Sequence, residues 1–130
     1  MNSRLSTIDA DIEEILNAMS APERIALISK AVLWAASEVG LDGVDIEKSI
    51  QEMHHERLHE IAQKFDDRYF ELQELDDPEH LTCFSKARGY SAAAFLAQGN
   101  IHEAMYEAIA ATDAPQDILR IIKITRGGEA

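Results

Sequence analysis

Apolar residues recur along this chain at intervals of three and four, and no stretch alternates with a period of two. That pattern predicts helices and no strands, because a helical turn takes 3.6 residues. Valine, favoured in strands, occurs only at 32, 39 and 44. A first short helix is expected over Asp9–Met19. Ser20-Ala-Pro-Glu23 then spells a capping box with proline in the first turn. The serine hydroxyl takes up an orphan amide while the glutamate reaches back. The next helix, Pro22–Val39, carries Ile25, Ile28, Val32 and Ala35 on one face, and Gly40 is placed to end it. "LDGVD" reads as a turn, and Asp45 as the cap of a long helix reaching Leu75. Asp76-Asp77-Pro78 stops it, since proline disfavours helical backbone in the residue before it. Asp77 caps a helix that runs to Gln98 and closes at Gly99. Asn100 and Glu103 form a second capping box before a short helix to Ala111. Asp113-Ala-Pro-Gln116 repeats the cap and proline, and a last helix runs to Thr125.

Six helices with short loops imply one all-α domain over residues 1–130, with 1–8 and 126–130 frayed. The expected architecture is a compact bundle with a long central helix over 45–75. At 46% hydrophobic residues, 130 residues suffice for a core without staples. Cys83 stands alone, so no disulfide forms within the chain, in keeping with a reducing compartment. The start, "MNSRLSTIDADIEEIL", lacks a basic segment followed by an apolar run. No stretch approaches the roughly 18 apolar residues of a membrane span. The expectation is a cytoplasmic protein that engages no membrane.

"AFLAQGNIHEAMYEAIAA", from Ala94, resembles the middle of a tetratricopeptide repeat. Phe95, Gly99, Ala104 and Ala111 stand where that motif has a bulky residue, a turn glycine and two small packing residues. The resemblance covers about one repeat, and Arg88 and Ser91 stand where the motif prefers apolar residues. It implies a tight helical hairpin, and with it a third functional reading, a helical adaptor using that hairpin.

Charge changes the picture more than composition does. Twelve Lys and Arg face twenty-four Asp and Glu, a net −12. Such a chain repels nucleic acid and anionic membranes and attracts basic surfaces. Between Asp42 and Glu79 lie thirteen acids and four bases, so −9 of the −12 falls in this segment. Projected on one continuous helix with Ile46 at zero, Glu52, Glu56, Glu60, Gln63, Asp67 and Glu74 fall between about 240° and 320°. Phe70 falls at about 240° beside them. An aromatic beside an acidic ridge is the composition of a docking surface, with the ring as anchor.

One motif points elsewhere. His55, Glu56 and His59 spell HExxH, in which two imidazoles four residues apart bind zinc and the glutamate activates a water. Glu71, Glu74 or Glu79 are candidates for a third ligand. Glu56-x-x-His59 also matches half of a di-iron bundle site, but no second such pair follows His80 or His102 backwards. Two observations weigh against zinc. Glu52, Arg57 and Glu60 make this segment more highly charged than the packed helix that carries the motif in metallopeptidases. On the same projection, His55 and His59 fall on the solvent face at about 180° and 220°, whereas His54 falls in the apolar stripe as a core or boundary histidine. Cys83, three residues from His80, reads as a small core residue, and Trp34 as a core aromatic.

The expectation is therefore a binding protein with no cofactor and no catalytic site. Its partner is a basic protein, engaged through Glu52, Glu56, Glu60, Asp67, Phe70 and Glu74. The most specific form is an immunity- or antitoxin-like inhibitor of a toxin or a nucleic-acid-processing enzyme, an analogy of size and charge. The alternative is a zinc-dependent hydrolase with His55 and His59 as ligands and Glu56 as base.

Overall fold

The computed structural model describes residues 10–112, 116–117 and 120–121, with side chains from Glu14 onwards. Six helices pack together among these residues, with no strand. They are α1 (Ala10–Asn17), α2 (Ala21–Glu38), α3 (Gly43–Gln51), α4 (His55–Glu74), α5 (Glu79–Gln98) and α6 (Ile101–Thr112). Gln116, Asp117, Arg120 and Ile121 are also helical, while Asp113, Pro115, Thr125 and the two termini expected to fray lie outside the described residues. Among the described residues no helix is long and apolar enough to cross a membrane.

The caps explain most of the boundaries. The Ser20 hydroxyl accepts from the Glu23 amide at 3.4 Å and donates to the Glu23 carboxylate at 2.7 Å. Arg24 reaches back and donates to the Leu16 and Met19 carbonyls at the end of α1, both at 2.9 Å. At the other end of α2, Gly40 takes a left-handed φ of 83°. The Leu41 amide then returns to the Ala36 carbonyl at 2.9 Å, satisfying an orphan acceptor. Asp42, not Asp45, caps α3: its carboxylate accepts from the Val44 and Asp45 amides at 3.0 and 3.3 Å. Asp77, expected as the cap of α5, accepts from the Glu79 amide at 3.0 Å, while Pro78 holds the cap position itself. Gly99, at φ 87°, closes α5.

The long helix expected over 45–75 is two helices. Met53, with φ 59°, turns the chain between α3 and α4. The His54 amide donates to the Ser49 carbonyl at 2.9 Å, the same return bond that Gly40 and Gly99 support elsewhere. Burial supplies the reason. On one straight helix Ile46 would lie about 80–160° away from Leu58, Ala62 and Leu72. The break lets Ile46 on α3 and the latter three on α4 all be buried. Arg57 ties the two helices by donating to the buried Ser49 hydroxyl at 3.0 Å.

The central helix is α5, which packs on α4 and α6 and also meets α2 and α3. From Ala87 to Ala97 its buried residues point all round the axis, and most are small: Ala87, Gly89, Ser91, Ala92, Ala93, Ala94 and Ala97. Small side chains let the surrounding helices approach closely. A Cβ on Gly89 would stand 3.0 Å from Leu41 Cδ1 and 3.2 Å from Val39 Cγ2. The core joins Leu27, Ile28, Ala31, Val32, Ala35 and Ala36 of α2 to Ala104, Met105, Ala108 and Ile109 of α6. Full burial of a residue such as Leu27 or Ile28 contributes about 1.5–3 kcal/mol. Ile25, expected on the core face of α2, is exposed instead: it shares the sector of the buried Val32 and Ala36 but lies nearer the start of the helix than any buried residue of α2. Trp34, expected in the core, is only partly buried against it and lines a groove with Leu81, Ser85 and Thr112.

Candidate partner-binding surface

The exposed face of α4 is built by simple spacing. With Glu56 at zero, Glu60, Gln63, Asp67, Phe70 and Glu74 fall within about 40° of it. Leu58, Ala62 and Leu72, the buried residues of α4, fall about 160–240° away. The acids are therefore diametrically opposite the packed face, and all of them are exposed. Gln63 donates to the Asp67 carboxylate at 3.0 Å. Among the described residues no ion pair neutralises Glu56, Glu60, Asp67 or Glu74. From Glu56 to Glu74 the face runs about 27 Å along the helix axis. Phe70 lies on it with 59% of its surface exposed.

Glu52 does not continue this ridge. It caps the C-terminus of α3, before the break, and its carboxylate lies 3.6 Å from the His54 ring. His54 itself is exposed at the start of α4 and is not a core or boundary histidine, because the turn at Met53 shifts every later residue relative to α3.

The two histidines of HExxH are not on the solvent face. His55 and His59 are half-buried, and His59 lies on the flank of α4 that faces α5. Their ring centroids are 6.5 Å apart. His59 stands edge-on to Phe95 at 5.1 Å, and its Nε2 meets Gln98 Oε1 at 3.3 Å. Among the described residues no three His, Cys, Asp or Glu side chains group closely enough to hold a metal ion. Glu71, Glu74 and Glu79 belong to the far end of α4 and the start of α5, about 24 Å or more along α4 from His55. Cys83 is a free, partly buried thiol on α5. The His80 Nδ1 donates to the Asp77 carbonyl at 2.7 Å, so that histidine serves the start of its own helix.

A charged cluster that the sequence did not reveal joins three helices. Arg88 of α5 donates to Asp66 of α4 at 2.6 Å and to both carboxylate oxygens of Glu107 of α6 at 3.3 and 3.1 Å. Its guanidinium carbon lies 5.6 Å from the Phe84 ring centre, and its Nε is buried with no hydrogen-bond partner among the described residues. Glu107 is buried. This explains why Arg88 occupies a position where a tetratricopeptide repeat prefers an apolar residue. The signal available in the sequence was Arg88 itself, a cation inside an alanine-rich helix. Nearby, burial raises the Tyr90 hydroxyl pKa above its ordinary value. The Asp45 and Asp42 charges raise it further, and Arg57 opposes them.

Comparison with family models, with characterised proteins and with solved structures finds no match to this chain. The helical hairpin implied by the repeat-like segment is present as α5 and α6, with Ala104 and Ala111 buried at its seam.

Proposed function

We propose that this chain acts by binding a basic protein partner through the exposed acidic face of α4. Glu56, Glu60, Asp67 and Glu74 supply the charge and Phe70 the apolar anchor, while Glu52 borders the face from the end of α3. One observation carries the reading: four carboxylates in no ion pair with a described residue share one helix face with an exposed phenylalanine, opposite the packed side. Unneutralised charges on a rigid element steer a cationic surface into register. A desolvated aromatic then holds it. The most specific form is an immunity- or antitoxin-like inhibitor, in which the acidic face covers a basic surface that a toxin or enzyme uses for nucleic acid. The chain is then no enzyme, requires no cofactor, and works in the cytoplasm beside its target.

Affinity capture from the native host, with the chain and its Glu56→Lys/Glu60→Lys/Asp67→Lys/Glu74→Lys variant side by side, tests this. A basic protein held by the first and lost from the second is the expected result. For the inhibitor form, the purified partner's activity falls as one equivalent of chain is added. A partner held equally by both variants would mean that a different surface binds.

A further inference from the structure

We propose that the tip of the α4–α5 hairpin docks a cationic peptide segment of a partner protein, one that carries bulky apolar side chains beside its Lys and Arg residues. The proposal rests on the acidic-face reading and deepens it by naming the anchor site and the chemistry of its ligand.

The first observation is apolar surface. Phe70, Leu75, Leu81 and Phe84 are 59%, 74%, 62% and 37% exposed, and they are four of the seven large exposed hydrophobics among the described residues. All four bracket one turn, between the last two turns of α4 and the first two of α5. Ring contacts make the aromatic part continuous across both helices. Tyr69 lies 5.1 Å from Phe70, 5.5 Å from Phe84 and 5.6 Å from His80, centre to centre. Single exposed apolar residues are ordinary, whereas an aromatic group that joins two elements, as Tyr69, Phe70 and Phe84 do, marks a contact surface. Leu75 and Leu81 flank it along the chain, and Leu81 also lines the groove with Trp34.

The second observation is the charge around it. Residues 66–79 hold seven carboxylates and one basic residue, Arg68. Arg68 is held by Glu71 at 3.0 Å, and Asp66 is held by Arg88 at 2.6 Å. The other five acids of this stretch are in no ion pair with a described residue.

Together these select the occupant. A second copy of the chain would press one acidic rim against another. An anionic membrane or a nucleic acid would be repelled for the same reason. A purely apolar segment would strip water from the carboxylates without replacing it. A segment with cations flanking apolar side chains satisfies both parts, and its ammonium or guanidinium groups also meet the negative faces of the Phe and Tyr rings.

The test uses the full chain, isotope-labelled, and a synthetic helix-forming peptide of Leu and Lys with its leucines on one face. Controls are the same composition with leucines scattered around the helix, and a version with alanine for leucine. The expected result is binding of the one-faced peptide with amide shifts concentrated over Tyr69–Phe84. Its affinity falls about tenfold or more in Leu81→Ala and in Phe84→Ala, and both controls bind more weakly. Leu81 is exposed, so its variant folds and remains informative even where Phe84→Ala disturbs the Tyr69 contact. Equal binding of all three peptides overturns the proposal, as does affinity untouched by Leu81→Ala and Phe84→Ala. Dimerisation of the free chain that Leu81→Ala abolishes overturns it in favour of a second copy. The broader reading fails separately. A captured natural partner that is lost with Glu56→Lys/Glu60→Lys but kept with Leu81→Ala and Phe84→Ala leaves the acidic face standing and removes the tip. A partner kept with the former and lost with the latter does the reverse.

Discussion

Arg88 concentrates the consequences of a single side chain. It holds Asp66 and the buried Glu107, and so links α4, α5 and α6 at one point. Removing one partner of a buried ion cluster leaves charges in a medium that solvates them badly. Arg88→Ala is therefore expected to destabilise by about 3–5 kcal/mol, read from the midpoint of urea unfolding. Asp66→Ala should cost less, because Arg88 keeps its bonds to Glu107. The reverse ranking would show that α6 contributes little to the cluster. The histidines of HExxH make an opposite case. His59 spends its ring on Phe95 and Gln98. Zinc added to the purified chain is expected to leave Tm unchanged. A ligand at about 100 times its Kd would stabilise by about 2.7 kcal/mol, so a real site would be plain in the melt. A zinc-dependent rise in Tm that His59→Ala removes would restore the hydrolase reading.

Four helices of this chain end in the same way, through a residue with left-handed backbone and a return bond from the residue after it. Gly40 and Gly99 do this after α2 and α5. Met53 and Asp76 do it after α3 and α4, at φ 59° and 55°. A side chain in that conformation costs roughly 1–2 kcal/mol, which glycine escapes. Met53→Gly is accordingly expected to raise stability by about 1 kcal/mol in thermal unfolding. Gly99→Ala should lower it by a similar amount, about 1 kcal/mol. If Met53→Gly destabilises, then its exposed side chain makes a contact that outweighs the backbone strain. The two glycine ends were legible because glycine announces them. The end at Asp76 was legible through Pro78. The end at Met53 carries neither signal, so one helix was expected where there are two. The break separates Glu52 and His54 from the positions that one continuous helix gives them. Glu56, Glu60, Asp67, Phe70 and Glu74 all lie on α4 and keep their mutual phase. His55 and His59 also lie on α4, but the buried Leu58 is only about 60° and 100° from them, so they sit on the flank of the packed face.

The whole molecule carries a net charge of −12, and nine of those charges arise between Asp42 and Glu79. Exposed like charges repel and destabilise the compact state, and salt screens them over about 8 Å at physiological strength. Tm is expected to rise as sodium chloride is added from low ionic strength. At low salt, Glu56→Lys/Glu60→Lys should melt no lower than the parent, since the reversal brings the net charge from −12 to −8 and leaves the exposed pair one turn apart like-charged as before. A clear loss of stability would show that these carboxylates hold the fold and are not free for a partner. The same charges give the acidic-face reading its salt dependence. Association should slow as salt rises, while variants at Phe70 should mainly speed dissociation.

The sequence by itself determined the class of fold, the Ser20 cap of α2, the glycine ends of α2 and α5, and the stripe of acids around Phe70. These depend on spacing along one helix and on residues whose backbone preferences act locally. Tertiary structure alone decided the rest. The break at Met53 follows from the need to bury Ile46 and Leu58 together, a demand made by helices distant in the chain. Alanine-rich α5 became the central helix because small side chains allow neighbours on every side, which no single-helix pattern distinguishes from a weakly amphipathic surface helix. Arg88 found Asp66 and Glu107 across twenty-two and nineteen residues of sequence. The apolar tip formed only when the end of α4 met the start of α5, bringing Tyr69 against Phe84. Contacts between separate elements depend on how helices pack against one another, and local periodicity does not encode that.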